Sequence, residues 1–293
     1  METNNILPAH RQHPRQFADF TFVYPVLSRR SHGISIGLNV NPDKRCNFDC
    51  VYCQVDRRVP SPVSRFALAV AERELRVMLD LVRSGELAAH PPFAGLPKKL
   101  LRLRDIALSG DAEPTTLPNF SATIAMVAKL KPAGVKLVLI TDAGGLDRAD
   151  VERGLEIMDA HHGEVWAKLD AGTAAYFKLV NRTAIPFERI LKNITGCAQK
   201  RPIVIQSLFM KLQGHGPAAD EIGAYGDRLQ AVLAAGGRIK SVQICTIARQ
   251  PMAVINGRPA GAVVSALTDL EVDAIADAVH HRTGLPTESF HGQ

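Results

Sequence analysis

The sequence predicts an α/β fold built around a parallel sheet. Short β-type runs alternate with amphipathic helical segments six times along the 293 residues. The composition is 46% hydrophobic and 22% charged, which is ordinary for a folded domain and excludes a disordered chain. Strands that alternate with helices form parallel sheets with right-handed crossovers. Six such units fit either an open doubly wound sheet or most of a barrel, and the periodicity does not distinguish the two.

Each unit is justified by its own pattern. The predicted strands are 34–40, 106–108, 135–141, 164–170, 202–210 and 239–245, and the predicted helices are 64–84, 117–130, 148–161, 186–199, 218–235 and 267–282. A Pro- and Gly-rich linker at 90–97 precedes the second strand. Gly236 and Gly237 end the fifth helix, and Thr268 with Glu271 forms a capping box for the last one.

Both architectures place a ligand site at the carboxyl ends of the strands. No GxGxxG motif follows the first strand, which argues against a dinucleotide-binding fold. On the fourth strand, Trp166, Lys168 and Asp170 share one face by the two-residue period. A lysine and an aspartate at the end of a strand are typical of an active site, although a buried structural ion pair would give the same pattern.

Three of the five cysteines follow the first strand with the spacing Cys-x3-Cys-x2-Cys: Cys46, Cys50 and Cys53. Thiolates suit iron–sulfur clusters or zinc, and three ligands leave one iron of a four-iron cluster open. The alternatives are a structural zinc site completed by a histidine such as His32, or three unrelated core cysteines. We interpret Cys197 and Cys245 as residues that do not bind the metal centre.

The cysteine motif, with Tyr52 directly before its third cysteine, resembles that of the radical S-adenosylmethionine (SAM) superfamily. Later stretches are similar to the branch of wyosine-type tRNA-modifying enzymes and their uncharacterised relatives: SGDAEPT, KLDAG, SLFM and VQICTIARQP. The resemblance covers residues 28–285. It implies a single-domain partial (β/α)6 TIM-like barrel at 28–285, with an N-terminal extension at 1–27 and a tail at 286–293.

The resemblance also implies two cofactors, a [4Fe–4S] cluster on the three cysteines and SAM. The residues that it implies for cofactor binding are Tyr52, Gly110, Glu113, Pro114, Thr141, Asp142, Lys168, Asp170, Thr246 and Ile247. Glu113 would accept the amino group of SAM, and Asp170 would bind the ribose. Lys168 would contact the cofactor carboxylate or the substrate, which makes it the candidate catalytic residue. Where the family usually has glycine before this glutamate, the sequence has Ala112.

The implied activity is reductive cleavage of SAM to methionine and a 5′-deoxyadenosyl radical, which abstracts hydrogen from an unidentified small-molecule, peptide or RNA substrate. A reductant such as flavodoxin or ferredoxin is expected. Wyosine-type base modification is the alternative, and a non-catalytic iron–sulfur redox protein is a third. No cysteine precedes Cys46, whereas the wyosine-forming enzymes carry further upstream cysteines. We therefore expect no auxiliary cluster.

The net charge of +6 is compatible with RNA but does not establish it. Basic residues at the start of the sequence support RNA: Arg11, Arg15, Arg29 and Arg30. The aromatic content of 5% offers few stacking platforms for bases. The polar N-terminus lacks a secretory signal, so we expect a cytoplasmic protein with no membrane partner. The segment 249–264 is either a lid or a tolerated surface insertion.

Overall fold

A computed structural model of the protein describes residues 15–292, so Arg11 lies outside the described residues. The strands are β1 Val23–Ser28, β2 Gly33–Leu38, β3 Leu103–Leu108, β4 Lys136–Thr141, β5 Gly163–Lys168, β6 Ile203–Leu208, β7 Lys211–Leu212, β8 Ile239–Cys245, β9 Val254–Ile255, β10 Arg258–Pro259, β11 Val264–Ser265 and β12 Thr287–Phe290. Eight of them form one curled sheet in the order β1-β2-β3-β4-β5-β6-β8-β12. Neighbours from β2 to β12 are parallel, and β1 is antiparallel to β2. The sheet is an open half-barrel, which confirms the predicted partial TIM-like barrel.

Helices connect the parallel strands. They are α1 Leu68–Ser84, α2 Phe120–Leu130, α3 Ala149–Ala160, α4 Ala174–Asn181, α5 Phe187–Lys200, α6 Ala219–Ala234 and α7 Asp269–Thr283. The main core lies between the sheet and these helices; Ile36 and Ile106 of the sheet and Leu75 and Met78 of α1 are fully buried in it. The six predicted strands correspond to β2–β6 and β8, so the alternation of apolar runs and amphipathic segments identified the parallel units.

Among the helices and the strands of the eight-stranded sheet, three elements gave no sequence signal that we used: β1, α4 and β12. β1 contains Pro25, which a strand tolerates at the edge of a sheet. β12 has four residues and α4 has eight, so neither completes a recognisable period. The sheet thus includes strands from the segments 1–27 and 286–293 as well as from 28–285; the division of the chain at those boundaries stays a prediction.

Local signals at helix ends agree with the structure. The Thr268 side chain accepts a hydrogen bond from the Glu271 N–H, and the Glu271 carboxylate accepts one from the Thr268 N–H at 2.7 Å, so the predicted capping box is present. α6 ends at Ala234, just before Gly236, whose φ of 82° lies in the left-handed region. Within residues 15–292, no helix has the length and apolar character needed to cross a membrane.

Candidate functional site

A cavity of about 360 Å³ lies inside the half-barrel, and its wall includes residues that follow the carboxyl ends of the strands. Eleven of the thirteen residues predicted for the site line it: Cys46, Cys50, Tyr52, Cys53, Gly110, Glu113, Thr141, Asp142, Lys168, Asp170 and Thr246. The other two, Pro114 and Ile247, do not line the cavity, although each directly follows a residue that does. Pro114 begins the short 3-10 turn Pro114–Thr116, and Ile247 packs in a small apolar cluster with Val51 and Tyr52.

The cysteine loop, residues 39–53, follows β2 and is held by backbone hydrogen bonds to the end of α4. The N–H groups of Asp49 and Val51 donate to the carbonyls of Asn181 and Val180 at 3.1 and 2.9 Å. The Asn181 side chain donates to the Cys50 Sγ at 3.5 Å. Sequence reasoning missed this contribution, because α4 is short and Asn181 lies 131 positions from Cys50.

The segment 249–264 packs against the same loop. The N–H groups of Met252 and Ala253 both donate to the Cys53 carbonyl, at 2.7 and 3.3 Å. The segment forms the β9–β10 hairpin, and β11 pairs with β7. Its apolar residues Ala253, Ala260 and Val264 share the small cluster that contains Tyr52. This segment therefore supports the cysteine loop instead of standing out as a surface insertion.

The three thiols of the loop are free and partly buried. Burial raises the pKa of Cys46 to about 12, and the charges of Asp142 and Glu113 add to the effect. Burial also raises the pKa of Cys50 to about 11, although the nearby Lys168 ammonium opposes it. The raised pKa values favour the protonated thiols. A bound metal cation would favour the thiolates instead, because it stabilises them directly.

The three thiols have the number of protein ligands that a four-iron cluster with one open iron requires. A structural zinc ion needs four ligands that converge on one point. Across residues 15–292, no three His, Cys, Asp or Glu side chains converge in that way. A four-iron cluster binds each thiolate on a separate iron, so its ligands are spread around it. Cys46, Cys50 and Cys53 supply three such ligands from one short loop to one cavity.

Glu113 is buried on the cavity wall, where its carboxylate joins the ends of β3 and β4. It accepts hydrogen bonds from the hydroxyls of Thr115 and Thr141 at 2.7 and 2.5 Å and from the Asp142 N–H at 2.7 Å. Ala112 just before it is outside the left-handed region of backbone space, so the departure from glycine needs no strained conformation.

Gly110 on the same loop is required by close packing. A Cβ at this position would lie 2.3 Å from Oδ1 of Asn39, so any larger residue would displace the start of the cysteine loop.

Asp142 lies next to Glu113 and is also buried. Burial and the Glu113 charge hold the pKa of Asp142 well above its usual range. Its Oδ1 accepts hydrogen bonds from the Gly144 N–H at 2.8 Å and from the Asn47 side chain at 3.4 Å. Its Oδ2 is buried without a partner among the described residues. This oxygen is available to a ligand or a water molecule in the cavity.

Tyr52 links Lys168 to Asp170. The Tyr52 hydroxyl donates to the Asp170 carboxylate and accepts from the Lys168 Nζ at 2.6 Å. Asp170 also accepts from the Asn181 side chain and the Leu208 N–H, both at 2.9 Å. Burial lowers the pKa of Lys168, but the charges of Asp170 and Cys50 outweigh it and raise the pKa overall. A charged lysine therefore lies beside the cysteine loop.

The remaining two cysteines have different surroundings. Cys245 lines the cavity at the end of β8. Cys197 is buried on α5 and accepts a hydrogen bond from Arg201 at 3.5 Å. The cavity also has a basic wall, formed by Arg15, Arg29, Arg30 and Arg249. The sequence pattern indicated Arg15, Arg29 and Arg30 only as possible RNA contacts and gave Arg249 no such role.

No protein-family model matches the chain. The chain is 28% identical over 163 residues to a UPF0026 protein of Methanocaldococcus jannaschii, a match that covers 54% of this chain and 43% of that protein. It is 22% identical over 212 residues to a UPF0026 protein of Helicobacter pylori, covering 71% of this chain and 61% of that protein. The chain thus spans about half the length of the relatives it matches.

Two solved structures are similar over most of the chain. A radical SAM methyltransferase from Sphaerobacter thermophilus superposes with a TM-score of 0.60 and 9% identity, covering 92% of this chain and 68% of that one. TYW1 with a lysine–pyruvate adduct bound superposes with a TM-score of 0.55 and 15% identity, covering 85% of this chain and 74% of that one. These likenesses show that the chain has the fold of radical SAM proteins, and they confirm the resemblance at that level.

Proposed function

We propose that this protein is a radical SAM enzyme. One observation carries the proposal: Cys46, Cys50 and Cys53 bring three thiols, with no fourth from the same loop, to the cavity of a half-barrel of the radical SAM type. These residues would hold a [4Fe–4S] cluster with one iron left open. When bound, the cluster and SAM supply a 5′-deoxyadenosyl radical that removes a hydrogen atom from the substrate.

The chain's own residues would bind SAM and exclude water. Glu113 offers negative charge to the SAM ammonium, and the unpartnered oxygen of Asp142 offers it a further polar contact. The Lys168 ammonium offers positive charge to the SAM carboxylate. Thr246 and Ile247 would contact the adenine through their backbone. Asp170 already accepts three hydrogen bonds, so in addition to the predicted ribose contact we assign it the positioning of Tyr52.

The substrate is the finer part of this proposal. A small molecule or peptide is the first candidate, because the reacting groups line a cavity inside the half-barrel. RNA modified at a base is the second, favoured by the net charge of +6 and the arginines. The electron would come from a separate reductant such as flavodoxin or ferredoxin. A redox protein without catalysis would bind the same cluster but would not cleave SAM.

Anaerobic reconstitution with iron and sulfide tests the cluster. The wild-type protein is expected to take up about four irons per chain and, once reduced, to give an electron paramagnetic resonance signal that SAM changes. Cys50→Ala should lose both properties. Cys197→Ala is the matched control, since Cys197 lies outside the cavity, and it should keep both. Equal iron and an equal SAM-dependent signal in Cys50→Ala would contradict the assignment.

A further inference from the structure

A basic wall lines part of the cavity and has no role in the proposed cofactor binding. It consists of four of the five arginines that line the cavity: Arg15, Arg29, Arg30 and Arg249. The fifth, Arg57, pairs with Asp49 at 3.5 Å. Arg29 and Arg30 follow β1, one edge of the sheet, and Arg249 follows β8. The Arg29 side chain donates to the carbonyl of His291, just beyond the other edge strand, β12. The wall therefore lies where the two edges of the half-barrel approach each other.

Three of these arginines lack a carboxylate partner. Arg15 forms an ion pair with Asp111 at 2.5 Å. Within the described residues, Arg29, Arg30 and Arg249 form no ion pair with an acid. The Arg30 guanidinium lies over the Trp166 ring, 5.4 Å from its centre. The Nε of Arg249 is buried without a hydrogen-bond partner.

The guanidinium groups of the basic wall repel one another and are only partly compensated by acids. Burial lowers the pKa of Arg249 to about 10, and repulsion from Arg15, Arg30 and Arg29 contributes to that shift. Asp105 also lines the cavity; its charge interacts with that of Arg30, and its carboxylate accepts a hydrogen bond from Ser35. The other acids of the lining are Asp111, Glu113, Asp142 and Asp170, and they form their hydrogen bonds with other residues. Among residues 15–292, the guanidinium groups of Arg29, Arg30 and Arg249 therefore stay unpaired. An anionic ligand that entered here would reduce the repulsion between the guanidinium groups and would accept hydrogen bonds from donors that lack a partner.

We infer that the basic wall binds a phosphate group, and that the substrate of the proposed enzyme is a phosphate monoester of low molecular weight. The inference rests on the proposed function for its reaction, and it adds the class of substrate. Guanidinium groups bind phosphate oxygens in a bidentate manner. A phosphate monoester carries about −1.5 to −2 charges at neutral pH, which matches the surplus of the basic wall better than a single carboxylate does.

The position of the basic wall favours a small substrate over RNA. All four residues of the basic wall are partly buried and line the cavity: Arg15, Arg29, Arg30 and Arg249. Proteins that bind RNA through its phosphates present cations on an open groove or surface. The basic wall and the cysteine loop open into the same cavity, so a bound phosphate would tether the rest of the substrate beside Cys50 and Lys168. Such a tether orients a substrate for a reaction at a fixed point.

Calorimetric titration of the full chain, without iron or SAM, tests the inference. The probes are inorganic phosphate, ribose 5-phosphate, ribose and a short RNA without terminal phosphates. We expect saturable binding of the first two, and none of ribose. Arg30→Gln and Arg249→Gln should each weaken ribose 5-phosphate binding at least about tenfold, and Arg249→Lys should lose less, because it keeps the charge. Arg83→Gln is the control: Arg83 is exposed on α1 and pairs with Asp80.

Four outcomes would overturn the inference: no saturable phosphate binding, equal binding of ribose, binding unchanged in both glutamine variants, or RNA binding tighter than ribose 5-phosphate with the same dependence on the arginines. If a glutamine variant fails to fold, competition between inorganic phosphate and ribose 5-phosphate on the wild type still decides whether they share a site. The titration needs no cluster. Failure of SAM cleavage would therefore refute the proposed function without affecting the result on phosphate binding. Absence of phosphate binding would refute this inference without affecting the result on SAM cleavage.

Discussion

The Tyr52 side chain connects the two kinds of chemistry at this site, the thiols and the charged groups. The resemblance predicted that Tyr52 belongs to the cofactor site, but it did not predict the hydrogen bonds of the Tyr52 hydroxyl. The hydroxyl bridges Lys168 and Asp170, and Asn181 bonds both Asp170 and Cys50. The aromatic residue before the third cysteine thus ties the loop to β5 and α4.

Asp170→Ala tests this network. The change removes the acceptor for three buried donors, from Tyr52, Asn181 and Leu208. We expect the free energy of unfolding to fall by about 3 kcal/mol, measured by urea titration. Asp147→Ala removes an exposed ion pair with Arg189 and should cost less than about 1 kcal/mol. Equal effects of the two variants would show that the network does not stabilise the site.

Residue patterns predicted the residues of the site but not the residues that hold them in place. The cysteine spacing and the family resemblance predicted thirteen site residues, and eleven of them line the cavity. Asn47 and Asn181 hold Asp142, Asp170 and Cys50 in place, but both contacts depend on how distant segments pack. Arg15, Arg29 and Arg30 were noted in the sequence as charged residues, and Arg249 only as part of the segment 249–264. Their arrangement around one cavity depends on the curl of the sheet, which no local pattern encodes.

At the scale of elements, the cysteine loop is fixed from two sides, by α4 and by the segment 249–264. The long amphipathic helices and apolar strands were predictable, because each repeats its period several times. α4 and the ribbons β7, β9, β10 and β11 were not, since two to eight residues are too few for a period to be distinguished from chance.

Thr268→Ala tests the cap of α7. The Thr268 hydroxyl satisfies an N–H of the first turn, so its loss should lower the free energy of unfolding by about 1 kcal/mol. Leu270→Ala, at a neighbouring position that is 82% exposed, should change it by less than about 0.5 kcal/mol. A larger loss in Leu270→Ala than in Thr268→Ala would contradict the assignment of the cap.

The same cap has a defined pH dependence. Hydrogen bonds from the Thr268 backbone, and contact with Lys211, lower the pKa of Glu271 to about 2. A depressed folded-state pKa means that the stabilisation is present above the unfolded value of about 4.3 and is lost as the pH falls towards 2. Wild type and Glu271→Gln should therefore differ in unfolding midpoint at neutral pH and converge in acid. A constant difference would contradict the assignment.

At the scale of the whole molecule, the half-barrel is closed on one side by β12. This strand pairs with β8 and places Phe290 on the cavity wall. Ending the chain at residue 285 should expose the β8 edge and cost at least about 3 kcal/mol through loss of Phe290 alone. A chain that ends at Gly292 keeps β12 and should unfold at the wild-type denaturant concentration. Equal midpoints for the two shortened chains would show that β12 does not stabilise the barrel.

The measurement that tests the central claim most directly is the formation of 5′-deoxyadenosine. The reconstituted, chemically reduced protein is mixed with SAM under anaerobic conditions, and the products are separated and quantified. We predict that methionine and 5′-deoxyadenosine form in equal amounts with the wild type and with Cys197→Ala, and that neither forms with Cys50→Ala. No product from the wild type with its cluster in place, or undiminished product from Cys50→Ala, would contradict the assignment of a radical SAM enzyme.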